Sequence, residues 1–181
     1  MKKNLFVLMR NIHRNINPKV SGVKSKYNVI LIIISLLFAV IFCLSCDSSR
    51  IYEENIPINN GSWNRYEPLV FKVNIEDTIS ANNFYINLRH SVDYRFSNIF
   101  LFIDTYFPDG NYTRDTIEYI LAGADGKWFG KGLGKIKENR ILLKQNVVFP
   151  KKGVYEFRFE QAMRMENLEG IEDIGIRIEK M

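Results

Sequence analysis

Beyond residue 68, apolar and polar residues alternate one for one in stretch after stretch. A period of two fits strands, not helices. In residues 69–76, Leu69, Phe71, Val73 and Ile75 fall on one face, with Lys72, Asn74 and Glu76 opposite. Phe84, Ile86 and Leu88 repeat the pattern, residues 154–160 alternate throughout, and residues 174–179 close the chain in the same way. Residues 99–103 are apolar on both faces, as in a strand covered on both sides. Residues 116–121 and 141–149 complete the set. Turn chemistry separates these runs: Asn60-Gly61, Pro108-Asp109-Gly110, Asp125-Gly126, Lys152-Gly153 and Glu169-Gly170. One stretch departs. Residues 161–168 (Gln-Ala-Met-Arg-Met-Glu-Asn-Leu) hold good helix formers and stop before Gly170, which predicts a short helix or helical turn. Such a turn would cap one end of the domain, with Arg164 paired to Asp115 or Asp173. Seven or eight closely spaced strands and one short helix predict an all-β fold, a jelly-roll-like β-sandwich.

The N-terminal segment has a different chemistry. Residues 1–45 carry Lys2, Lys3, Arg10, Arg14, Lys19, Lys24 and Lys26 and no Asp or Glu. A nearly unbroken apolar run follows from Val29 to Leu44 and ends at Ser45-Cys46. A basic stretch before an apolar one is the layout of a secretory signal. A small residue directly before a cysteine resembles a bacterial lipobox, although Cys43 stands where leucine is usual. Cys46 is then the expected lipidation site and the mature N-terminus. Two or three acyl chains hold a protein to a membrane far more firmly than one. The expected organisation is a lipoprotein-type signal peptide over 1–45, the lipidated Cys46 and a short polar tether over 46–50, and a β-sandwich over 51–181.

Charge and cysteine content exclude several functions. The net charge of +5 belongs to the N-terminal segment, because residues 46–181 hold 18 basic and 20 acidic side chains. A nucleic-acid partner is not expected of a mildly acidic domain. Cys43 and Cys46 are the only cysteines, so no disulfide framework, zinc finger or cysteine nucleophile is available to the sandwich. His90 is the only histidine after residue 45, and a strand-end surface position is expected for it. Ser91, His90 and Asp93 are sequence neighbours, which is not triad geometry. Glu53-Glu54 and Glu172-Asp173 read as solvated surface, not as paired acid–base groups. No catalytic residue, metal site, cofactor or small-molecule substrate is therefore expected.

The run Gly126-Lys127-Trp128-Phe129-Gly130-Lys131-Gly132-Leu133-Gly134-Lys135 invites a phosphate-loop reading, which fails. Only three residues separate the first glycine from the Gly-Lys pair, no hydroxyl follows, and the flanks are strands. Two readings stay open. In one, the glycines simply build a wide hairpin. In the other, Lys127, Trp128, Phe129 and Lys131 form a contact surface, because so long a connection between strands is usually functional or disordered.

Three groups of residues carry a family resemblance. One is Asn87-Leu88-Arg89, Tyr94 and Asn98-Ile99-Phe100-Leu101-Phe102. A second runs from Asp115-Thr116-Ile117-Glu118 through Leu121-Ala122 to the segment from Asp125 to Gly132. The third is Glu160-Gln161-Ala162-Met163-Arg164, Leu168, Gly170-Ile171 and Asp173-Ile174-Gly175. Their order and spacing, together with the lipoprotein signal, resemble the gliding-motility lipoprotein family known as GldH across the whole mature chain. The resemblance implies an accessory lipoprotein of the cell envelope, periplasm-facing or in the outer membrane, required for surface movement. Its implied partners are the membrane, through the acyl chains, and other envelope or gliding-machinery proteins. The family has no assigned catalytic residue or cofactor to carry over. An alternative from a different class is a glycan-binding β-sandwich lipoprotein, which needs Trp63 and Trp128 exposed on one concave face.

Overall fold

The computed structural model describes residues 26–36 and 49–181. The chain divides into two units, Met1–Asp47 and Ser48–Met181. In the first, residues 26–36 form an α-helix with exposed side chains. Among the described residues no helix is long and apolar enough to cross a membrane. Cys46 and most of the expected signal peptide lie outside the described residues.

The second unit is built from strands. They are β1 (Arg50–Pro57), β2 (Ser62–Asn64), β3 (Leu69–Ile75), β4 (Asn82–Ser91), β5 (Asn98–Tyr106), β6 (Tyr112–Ile120), β7 (Ile136–Val147), β8 (Gly153–Gln161), β9 (Asn167–Glu169) and β10 (Ile171–Lys180). One sheet has the order β1-β10-β4-β7, the other β3-β8-β5-β6, and β2 and β9 form a small ribbon. Every pairing is antiparallel. The first and last strands are neighbours in one sheet, and the chain crosses repeatedly between the two. That winding is the jelly roll anticipated from the alternation.

The alternation does the folding. Ile174, Ile176 and Ile178 of β10 and Ile86 and Leu88 of β4 point inward from one sheet, and all are fully buried. Phe71, Ile99, Leu101 and Phe159 answer from the other, with Phe71 and Phe159 edge-to-face at 5.5 Å. On β5 the outward Phe102 is not left bare. The Arg114 guanidinium lies 5.2 Å from its ring centre. On β10 the outward positions are also covered. Gly175 has no side chain, and a Cβ there would stand 1.7 Å from Asn55 Oδ1. The Asn55 side chain therefore lies across the space that glycine leaves open.

Residues 161–168 are not helical. Gln161 is the buried last residue of β8, at 1% exposure, and its amide takes over the loop that follows. Its Nε2 donates to the carbonyls of Met165 (2.8 Å) and Glu166 (3.3 Å), and its Oε1 accepts from the Met163 N–H (2.9 Å). Residues 167–169 then pair with β2. Helical propensity loses to a buried side-chain amide that satisfies the same backbone groups. The remaining short helical element is a 3-10 turn at Asn59–Gly61. The ion pairs expected for Arg164 go elsewhere: Asp115 accepts from Lys144 at 3.0 Å, and Asp173 pairs with Arg89.

The strand registers give the sandwich two unlike ends. Arg50, Lys180, Asn82 and Val147 lie at one end of their sheet, with Pro57, Ile171, His90 and Ile136 at the other. The chain enters at the first end. The connections there, 76–81, 107–111 and 148–152, are short. The opposite end carries 92–97, the segment 121–135, the loop after Gln161 and the β2–β9 ribbon.

Candidate functional site

The glycine-rich connection between β6 and β7 is two successive small hairpins. In the first, Ala122 bridges Trp128, the Gly123 N–H donates to Lys127 O (2.9 Å), and the Gly126 N–H donates to Gly123 O (2.9 Å). Asp125 Oδ1 accepts from the Lys127 N–H at 3.1 Å. Gly126 sits at φ 76°, the left-handed region this turn requires. In the second, Lys131 and Glu138 exchange both backbone bonds at 2.8 Å. Its tip is pinned by Lys137 Nζ, which donates to Gly132 O at 2.7 Å. Gly132 has φ 122°, and a Cβ there would meet Ile136 O at 2.7 Å. The segment is thus hydrogen-bonded along its length.

This frame sorts the four expected residues into two roles. Trp128 is half-buried against the core, its ring 4.6 Å from His90 and 6.5 Å from Tyr94. Lys127, Phe129 and Lys131 point outward, with Phe129 60% exposed. Leu133, at the second tip, is fully exposed. From Gly126 to Lys137 the chain holds Lys127, Lys131, Lys135 and Lys137 and no acidic residue. Within a domain of mild negative charge this is a local cationic patch around exposed apolar groups. Beside it, Tyr119, Phe129, Lys131, Glu138, Asn139 and Arg140 line a recess of about 380 Å³. The recess opens between β6 and β7, which are both sheet edges.

His90 is not at the surface. It is fully buried at the end of β4, and its ring supports Trp128. Its Nδ1 lies 2.9 Å from Ser91 O, which can only accept, so Nδ1 carries the proton in the neutral ring. Among the described residues its Nε2 is buried without a hydrogen-bond partner. Burial lowers the His90 pKa, outweighing the Ser91 bond, and nearby Lys137 lowers it further. Stability should therefore be full above about pH 6.5, the usual histidine value. It should fall as the pH drops below that value, because the unfolded chain takes up a proton that the buried ring resists. Denaturant midpoints measured from about pH 7.5 to about pH 5.5 check this linkage, and His90→Gln should flatten the decline.

The acidic pairs are less solvated than expected. Glu53 is only partly exposed and is held by Arg177 at 2.5 Å, Arg50 at 3.1 Å and Arg140 at 3.6 Å. Burial pushes its pKa up, but the bonds from Arg50 and Arg177 together hold the carboxyl below the usual range. Asp173 is 2% exposed and tied to Arg89. Both are carboxylates committed to arginines on the outer surface of one sheet. Alternation predicted that surface to be polar but gave no sign of a buried Arg177. Among the described residues no group of three or more His, Cys, Asp or Glu is placed to hold a metal ion.

Fold and surface together define a jelly-roll domain, preceded in sequence by an apolar segment and bearing a cationic, partly apolar loop at one end. The family model for the GldH lipoprotein matches residues 50–178, and the chain belongs to that family. It is 37% identical over 151 residues to a gliding motility lipoprotein GldH homolog of Christiangramia forsetii, covering 80% of this chain and 92% of that protein. It is 36% identical over 152 residues to the gliding motility lipoprotein GldH of Flavobacterium johnsoniae, covering 80% and 94%. Among solved structures, the infectious bursal disease virus VP2 subviral particle aligns with 74% of this chain and 33% of its own, at 12% identity and a TM-score of 0.31.

Proposed function

We propose that this protein is a non-catalytic lipoprotein of the cell envelope that serves gliding motility. Acyl chains on Cys46 hold it to a membrane, and the loop end of its sandwich binds another envelope protein. The observation that carries this reading is the Gly126–Lys137 loop. It is ordered by its own hydrogen bonds, yet it holds Phe129 and Leu133 in water among four lysines. An apolar group rimmed by cations fits a partner with an apolar pocket and an acidic rim, where charge speeds encounter and apolar contact gives affinity. The glycan alternative lacks its platform, because Trp63 is 2% exposed and cannot stack on a sugar.

The anchor is tested in a strain lacking its own copy of the protein. The wild-type gene should restore spreading on agar, and its product should take up a metabolic acyl probe. Cys46→Ala should take up no probe and should not restore spreading. Equal labelling of the two would remove Cys46 as the lipid site. Full spreading by the unlabelled variant would remove the need for the anchor.

A further inference from the structure

We infer that the end of the sandwich where the chain enters seats directly on the bilayer that holds the acyl chains, with Ile79 reaching its interface. The inference rests on the lipid-anchor reading and adds an orientation to it. Only Asp47, Ser48 and Ser49 separate Cys46 from the first strand residue, Arg50. At about 3.3–3.6 Å per extended residue, that tether keeps Arg50 within roughly 14 Å of the lipid-bearing residue. The strand registers then decide which surface faces the membrane. It is the end holding Arg50, Lys180, Asn82 and Val147, with its three short connections.

That end is built for an interface. Ile79 is 88% exposed, and a rigid turn holds it there. Asp77 accepts from the N–H groups of Ile79 (2.9 Å) and Ser80 (3.0 Å) and from Ser80 Oγ (2.6 Å), and Lys180 pairs with Asp77 at 3.3 Å. Ile51, Val148 and Tyr112 are exposed at the same end. Of the carboxylates on its loops, Asp77 is matched by Lys180 and Asp109 by Lys151, and the exposed Glu76 accepts from Asn74 at 2.8 Å. Apolar side chains among lysines and a tyrosine are the composition of an interfacial contact. Seated this way, the domain carries the Gly126–Lys137 loop on the surface farthest from its own membrane. Its cationic tip is then offered to a partner and not to the lipid beneath it.

The test uses the full-length processed lipoprotein in vesicles of phosphatidylethanolamine and phosphatidylglycerol. The sequence holds only Cys43 and Cys46. Cys43 leaves with the signal peptide and the Cys46 thiol is acylated, so an introduced cysteine is the single free thiol. Ile79→Cys and Leu133→Cys are each labelled with an environment-sensitive nitrobenzoxadiazole dye. Both native side chains are exposed, so neither substitution touches the core. The dye at position 79 should shift to the blue and be quenched by nitroxide-bearing lipid, while the dye at 133 stays aqueous. A dye at 79 that stays aqueous, or a dye at 133 that enters the bilayer, overturns the orientation. Failure of the anchor itself is read separately, from the mass of the N-terminal peptide.

Discussion

Trp63→Ala should lower the unfolding free energy by about 3–5 kcal/mol, the range for removing a buried large aromatic. A domain of this kind has about 5–15 kcal/mol in total, so the variant should lose a large share of its stability. Trp63 stands in β2 at 2% exposure, opposite Leu168 of β9, which is 1% exposed. Its Nε1–H donates to the Glu67 carbonyl at 3.1 Å. Loss of the ring opens a cavity beneath the β2–β9 ribbon and removes that hydrogen bond. Trp63→Phe should cost less, because most of the apolar contact survives and only the hydrogen bond, worth about 1 kcal/mol, goes. Urea denaturation of the three proteins checks the series. A loss below about 1 kcal/mol in Trp63→Ala would place the ring at the surface and reopen the glycan reading.

The same tryptophan shows what the sequence conveys and what it conceals. Alternation marks β3, β4, β8 and β10 because one face of each is buried, and period two then appears in the letters. It is silent on β1, an edge strand whose residues are mostly exposed or half-exposed on both faces. It is silent also on β2 and β9, which at three residues each are too short for a period to register. Trp63 lies in that silent region, so an exposed sugar platform and a core plug were equally compatible with its neighbours. The segment after Gln161 departs from its helical propensity for a related reason. Helix propensity is a local quantity, whereas the burial of Gln161 that overrides it depends on β5 and the β2–β9 ribbon, distant in sequence.

The proposed contact surface is legible in composition but not in geometry. Four lysines around Trp128, Phe129 and Leu133, cut by glycines, already signal a loop with something to present. Which aromatic is root and which is tip depends on His90, and nothing in the sequence places a lone histidine beneath a tryptophan some forty residues on. Nor could the letters reveal that the loop and the chain's entry lie at opposite ends of the sandwich. That follows only from the register of β1, β10, β4 and β7.

The division of labour within the loop leads to the second large effect. Phe129→Ala combined with Leu133→Ala and Lys131→Glu should abolish spreading on agar while leaving stability within about 0.5 kcal/mol, as expected of exposed side chains. Phe129 is 60% exposed, Leu133 is fully exposed, and the backbone bonds of Lys131 to Glu138 do not involve its side chain. Trp128→Ala should behave in the opposite sense. Its ring is half-buried on His90 and Tyr94, so its loss should cost about 2 kcal/mol, less than a fully buried tryptophan. It should impair spreading only through the loosened loop and lower protein level. Lys127→Glu added to the triple variant should change nothing further once binding is lost. The comparison requires equal amounts of membrane-bound protein, measured by immunoblot. Normal spreading by the stable triple variant would remove the loop as the contact surface. Full stability of Trp128→Ala together with lost spreading would move the tryptophan from root to contact.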